Sequence, residues 1–404
     1  MKNLQQQKKW TILIYANGNN ELQPEIWQSK IAAENTGSHQ NVNVVLQISR
    51  EKDTLVSILR PSISFPSRVA KWIGTRRYLI DNGKSTLLKD LGKINMSSPA
   101  TLYEFTKWAI PLYPAQNYML ILSGHGYQFV GAITDYSQHA PFIMGISEMC
   151  TAIERACSEL NCKIDLLVCD ICYFNSIEVM YEFGKKEAPA VKNVLTYFLT
   201  GPIAGLPLNR IIHTVQTNCF ADLKNQIVNL TQILQNPGHL VAFEINSTKL
   251  AYLKNLYNNL AERYLETNSV LNLTALLYHS NPTDHWLSTF VSEIKSHTLS
   301  LVISRPPNLV TNINLLFVAN SPTPHQDKLA LYSKLAFTQN NAWLNLLNKT
   351  KDYSPPKTNY NHELIPTKLA FDEVLTYISI MNPTLSNDQK KVILRNLINY
   401  KQWL

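Results

Sequence analysis

Two apolar runs of strand length, YMLILSGHG (118–126) and IDLLVCDIC (164–172), constrain this chain most, because each stops abruptly on reactive chemistry. An uninterrupted Leu/Ile/Val run is the mark of a strand buried on both faces of a parallel sheet. In open α/β sheets the reactive groups gather just beyond the carboxyl ends of such strands. His125 and Cys172, 47 positions apart, are therefore predicted to lie side by side. A thiol beside an imidazole makes a cysteine nucleophile with its acid/base partner. Singly, a histidine after a strand is ordinarily a hydrogen-bonded loop residue, and a cysteine in a strand is ordinarily packing. The glycines flanking His125 argue for function: they uncover the ring, let backbone approach a ligand, and free the Gly126 N–H to point at a substrate oxygen.

The surrounding pattern alternates strand and helix. WTILIYA (10–16) reads as a buried strand ending on the turn Asn17-Gly18-Asn19-Asn20, and VNVVLQIS (42–49) as a second strand after helical spacing at Ile26, Ile31 and Ala33. Residues 54–59 and 77–80 read as a short hairpin. Helices over 98–112 and 147–160 precede the His125 and Cys172 strands, and 193–199 is a further strand. The pattern then turns helical over 243–264, with short strands at 299–303 and 314–318 and a Pro/Asn-rich linker at 353–362. The expected class is α/β, a mostly parallel sheet flanked by helices, with a C-terminal accessory region.

The chain has 404 residues, of which 45% are hydrophobic, enough for a sizeable core. Its net charge of +8 is scattered, and no basic stripe interleaves with aromatics, so nucleic acid is not expected as a partner. The six cysteines crowd mainly into 150–172 rather than forming a disulfide framework. Cys169-x-x-Cys172 has redox spacing but lies in a strand rather than opening a helix, and Cys150, Cys157, Cys162 and Cys169 lack the paired spacing of a zinc site. No metal ligand set is expected. The amino terminus lacks the apolar segment and cleavage site of a secretory signal, and no run reaches transmembrane length. The expectation is a reduced, cytoplasmic chain as synthesised, with signal-independent secretion left open.

The motifs in order resemble the clostripain-like cysteine peptidases, within the caspase-like fold group that includes gingipain, legumain and separase. WTILIYANGNNEL is similar to the family's opening strand and turn. RRYLI (76–80) and LGKINMSSPATLYEFTKWAIPLYPAQNYMLILSGHG (91–126) resemble its central block, and DICYFNSIEVMYEF (170–183) its cysteine block. Weaker similarity continues through 243–265 and 332–347. The resemblance implies a caspase-like peptidase core over 1–265, a family-like region over 266–350 completing the domain, and a C-terminal helical extension over 351–404. It implies a cysteine endopeptidase acting on protein or peptide substrates, with Cys172 as nucleophile and His125 as acid/base. The backbone N–H groups of Gly126 and Cys172 would hold the oxyanion, each such donor being worth about 3–4 kcal/mol in the transition state. Asp170 would line the pocket for a basic side chain before the scissile bond, joined by Thr200 and Gly201. Glu178 also matches a family-like position, where packing or pairing is an equal reading. No cofactor is implied, calcium entering by family analogy alone. A catalytically inactive binding protein of the same fold is the alternative.

The sequence departs from the family at YFLTGPIAGLPLNR (197–210), where relatives carry acidic residues and this chain has none. Desolvating an Arg needs paired charge, so the preference before the cut stays open between basic and neutral. Self-processing relatives are cut at a basic residue between the two catalytic blocks, whereas here only Arg155 and Lys163 lie there. At the carboxyl end, Ser386-Asn387-Asp388-Gln389 forms a capping box opening a helix to about 402. Its apolar side (Val392, Ile393, Leu397, Ile398) fits packing on the body, and its basic side would suit docking to a partner or an anionic membrane surface.

Overall fold

The alternation of strand side chains between two faces organises this protein. In the first strand, β1 (Lys8–Ala16), Leu13 and Tyr15 enter one apolar core while Trp10, Ile12, Ile14 and Ala16 enter another. Such a strand is buried on both faces, as an uninterrupted apolar run requires. The structure, a computed structural model, describes residues 7–61, 72–234, 239–267, 285–306, 315–319, 329–348, 363–370, 373–375, 379 and 384–402.

After β1 come α1 (Gln23–Glu34), β2 (Val42–Arg50), α2 (Asp53–Leu59), β3 (Gly74–Asp81), β4 (Lys84–Gly92) and α3 (Pro99–Leu112). The strand β5 (Ala115–Ser123) leads through β6 (Ala132–Asp135), β7 (Phe142–Met144) and α4 (Ile146–Leu160) to β8 (Leu166–Asp170). Then follow α5 (Ile177–Gly184), β9 (Asn193–Tyr197), α6 (Leu208–Thr217), α7 (Leu223–Ile233), β10 (Leu240–Glu244), α8 (Ser247–Thr267) and, after the helix His285–Leu301, β11 (Val302–Ser304). The sheet order is β11-β10-β9-β8-β5-β1-β2-β3-β4. Its centre, β9 to β2, is parallel, and an antiparallel pair extends each edge. This is the mixed, mostly parallel α/β sheet that the sequence predicts. Residues of α3, α4, α5 and α8 fill the core on one face, and residues of α1, α6 and α7 the core on the other.

Several local expectations are corrected. Residues 53–59 form the helix α2, not a hairpin strand, and β3 pairs instead with β4. Leu55, Val56 and Leu59 are buried at helical spacing, a period that a six-residue segment is too short to display. Phe243 and Glu244 belong to β10, the helix α8 starting only at Ser247. Leu299–Leu301 end a helix, and the strand is Val302–Ser304. Of the expected strand at 314–318, the described residues 315–318 hold an isolated bridge, Ser176 to Phe317, made by the Phe317 N–H donating to Asn175 O and the Ile177 N–H to Phe317 O. The 353–362 linker lies outside the described residues.

The carboxyl end folds back onto the body. A strand β12 (Thr367–Lys368) pairs with β7, giving the small sheet β12-β7-β6. The helix Asn387–Gln402 opens on the expected capping box, with the Gln389 N–H donating to Ser386 Oγ (3.2 Å) and Ser386 N–H to Gln389 Oε1 (2.8 Å). Its Ile393 and Leu397 pack with Leu55 and Leu59 of α2 and with Tyr136 after β6, while Lys391 and Arg395 stay exposed.

Candidate active site

The parallel register of β5 on β8 pairs Ser123 with Asp170, and the Gly124 N–H donates to the Asp170 carbonyl (3.3 Å). His125 and Cys172 are each two residues beyond that pair, so both chains leave the sheet together and both residues line one cleft. It holds about 450 Å³, open mouth included. Their backbones touch: a β-carbon at Gly126 would sit 2.3 Å from the Cys172 carbonyl oxygen and 3.3 Å from its nitrogen. Neither the Gly126 nor the Cys172 N–H donates a hydrogen bond among the described residues.

The turn after Cys172 is held by backbone. Tyr173 adopts a left-handed conformation (φ 58°) and donates its N–H to Leu199 O (2.5 Å), while Asn175 Oδ1 accepts from the Leu199 N–H (3.1 Å). This brings Gly201, whose N–H lies 3.5 Å from Cys172 Sγ. Burial pushes the thiol's pKa up; the Gly201 N–H pulls it down and the Asp170 charge adds to the rise. The resting thiol is therefore protonated and needs a base.

The asparagine-rich turn after β1 serves the histidine. Asn17 Nδ2 and Asn20 Nδ2 donate to Thr134 O (2.6 and 2.9 Å), and Asn19 Nδ2 donates to the buried Asp135 (2.7 Å). Thr134 and Asp135 belong to β6, whose Ile133 N–H donates to the His125 carbonyl (2.8 Å). This lattice carries Glu21 to the imidazole, Oε1 lying 3.0 Å from His125 Nε2, with both side chains buried. The separation is that of an ion pair, off the line of a straight hydrogen bond. Burial would raise the Glu21 pKa, but the His125 charge and contact, its own N–H and Arg60 together hold it below the usual value. Glu21 was not legible as a site residue, since nothing in its spacing distinguishes it from a turn carboxylate.

Asp170 lies at the cleft floor, 7% exposed. It accepts from Ser123 Oγ (2.6 Å), Tyr197 Oη (2.6 Å) and the Leu206 N–H (3.0 Å). Burial still pushes its carboxyl above the ordinary range, the three donors opposing that. A second carboxylate lines the cleft, Glu25 of α1, bound by the Arg60 guanidinium (3.0 Å), which also donates to Glu21 O (3.0 Å). Leu22, Ile26, Pro202 and Ile203 make the walls apolar. Of the loop residues named from the sequence, Gly201 lines the cleft and Thr200 does not; its side chain faces solvent. Glu178 also lies elsewhere, accepting from the Ala319 N–H (2.7 Å) and Tyr332 Oη (2.9 Å), a packing role. Among the described residues no three His, Cys, Asp or Glu side chains cluster as a metal ligand set.

A parallel-sheet cleft with a cysteine and a histidine at adjacent strand ends can carry out the chemistry of a cysteine peptidase. Residues 85–230, which carry both strand ends, match the model of the clostripain family. Its fold is similar to that of an inactive zymogen C11 protease from Parabacteroides distasonis, at 15% identity over 83% of this chain and 98% of that one (TM-score 0.55). It is also similar to secreted C11 cysteine proteases from Bacteroides thetaiotaomicron. One matches at 12% identity over 82% of this chain and 99% of that chain (TM-score 0.53). The other, in complex with an irreversible peptide inhibitor, matches at 13% identity over 74% and 84% (TM-score 0.51). No curated protein matches the sequence. Among the described residues no helix is long and apolar enough to cross a membrane.

Proposed function

We propose that the protein is an endopeptidase in which Cys172 attacks the scissile carbonyl and His125 moves the protons. The observation that carries this is the shared register of β5 and β8, which delivers both side chains to one cleft. His125 takes the thiol proton as Sγ bonds to the carbonyl carbon, and the N–H groups of Gly126 and Cys172 receive the oxyanion. The imidazolium then protonates the leaving amine. Water, deprotonated by the same ring, hydrolyses the thioester. All six cysteines are free thiols, which supports a reducing compartment such as the cytoplasm. The exposed Lys391 and Arg395 of the terminal helix are what an acidic partner or an anionic membrane surface would meet.

The cleft also favours a basic residue before the cut. Apolar walls suit an aliphatic stem, and the Asp170 floor suits a cation. A carboxylate offers about four acceptor sites, and three donors already occupy Asp170. Gly205 leaves room beside Oδ2 that a β-carbon, 2.7 Å away, would take. One remaining site suits the point charge of Lys better than the two-pronged guanidinium of Arg. A peptide probe with Lys before an electrophilic ketone is expected to alkylate Cys172 before the other five cysteines, and faster than its Arg twin. Labelling spread evenly over the cysteines would establish the inactive binding protein instead, and faster labelling by a Glu probe would exclude the Asp170 role.

No internal cut is needed for activity. Between the catalytic residues the basic side chains are Arg155, within α4 and paired with Glu159 (3.1 Å), and Lys163, which precedes the fully buried Ile164. Cleavage at either requires opening of a packed element. Fresh wild-type protein is expected to run as one chain on a denaturing gel while still labelling at Cys172. Two fragments in wild type against one band in Cys172→Ala would show self-processing.

A further inference from the structure

Seven carboxylates among the described residues are buried, and six of them, Glu51, Asp135, Asp165, Asp170, Glu178 and Glu182, accept a backbone N–H from another residue. Glu21 is the exception. Its Oε2 has no hydrogen-bond partner, and apart from its own N–H its carboxylate faces one group, the His125 ring, 3.0 Å from Oε1. A buried carboxylate without such donors is costly unless a cation stands against it. Arg60 acts from behind, on the Glu21 carbonyl, and the group against the carboxylate itself is the imidazole, cationic when it holds the proton of Cys172. The support is built from behind, Arg60 gripping both the Glu21 carbonyl and Glu25.

We infer that Glu21 is the positioning residue of the catalytic pair, holding Nε2 of His125 so that Nδ1 serves the Cys172 thiol and stabilising the ring when it is charged. This rests on the reading of His125 and Cys172 as that pair. The same logic governs any histidine base whose second nitrogen is held by a buried carboxylate. The other charged or titratable groups around the two residues are Arg60 and Glu25 on one side, Asp170 and Cys172 on the other, with Tyr127 beside the ring. The charged group against Nε2 is Glu21, 3.0 Å away, while Tyr127 meets the ring at a centroid distance of 6.0 Å.

The test is Glu21→Gln in the full chain, which keeps the shape and removes the charge. Alkylation of Cys172 by iodoacetamide is followed against pH, alongside turnover of a Lys peptide. Without the carboxylate the imidazolium is less stable, so the acid limb of Cys172 reactivity, where the ring sheds its proton to act as base, is expected to move down by about one pH unit. kcat is expected to drop at least about tenfold, with KM little changed. Glu21→Asp retains the charge and is expected to keep the acid limb at a lower rate; it carries the test if Glu21→Gln does not fold. A limb in Glu21→Gln that coincides with wild type, or one displaced in Glu21→Asp, overturns the inference. Full activity in Cys172→Ala would instead overturn the underlying pair, so the two failures are distinct.

Discussion

Cys172→Ala is expected to lower kcat/KM on a peptide substrate by at least about a thousandfold, because Cys172 is the thiol that lines the cleft. Stability should change by less than about 1 kcal/mol: the side chain is small, half-buried, and gives up one weak contact from the Gly201 N–H. His125→Ala should be as inactive but not as stable. Removing the ring leaves a buried void and takes away the group that faces the Glu21 carboxylate, a loss of about 2 kcal/mol or more. Thermal melts of the two variants beside their activities separate the roles. Equal melting temperatures would contradict the Glu21–His125 pairing, and residual activity in Cys172→Ala would contradict the nucleophile.

Gly126→Ala is expected to be nearly as damaging, by a different route. The added methyl would lie 2.2 Å from Ile171 Cγ2 and 2.3 Å from the Cys172 carbonyl oxygen, and a backbone oxygen cannot step aside as a side chain can. The two strand ends must separate, at a cost of about 1–3 kcal/mol for overpacking. The separation moves the Gly126 and Cys172 N–H groups apart, where a shared oxyanion needs both within hydrogen-bond reach. Losing one such donor costs about 100- to 1,000-fold in kcat. Folded Gly126→Ala protein with wild-type kcat would show that neither the close approach nor the oxyanion assignment matters. Gly83→Ala is the fitting control, since nothing lies within 4 Å of its β-carbon position.

The central architecture was legible for a specific reason. Strands such as 118–123 and 166–170 are buried on both faces, so every position must be apolar or small, and the run stands out from the amphipathic helices around it. His125 and Cys172 were legible because they interrupt those runs at matching points. The capping box at Ser386 was legible because it is a local hydrogen-bonding rule. The short elements were not. The helix at 53–59 owes its burial to the terminal helix more than 300 positions away, a contact no local window contains. Thr200 and Gly201 are neighbours in one loop, yet only Gly201 turns to the cleft, as the Leu199 carbonyl and N–H are pinned by Tyr173 and Asn175.

From the sequence alone came the parallel α/β class, the two strand ends, and the thiol and imidazole that stand on them, because burial and periodicity are written residue by residue. Tertiary structure decided what surrounds them. It set Glu21 against His125 through a turn anchored on β6, filled Asp170 with three donors from three different segments, and put Glu25 of α1 into the wall of the same cleft. The partners of a buried charge are chosen by distance in space, and chain separation carries no information about them once the sheet has ordered its strands.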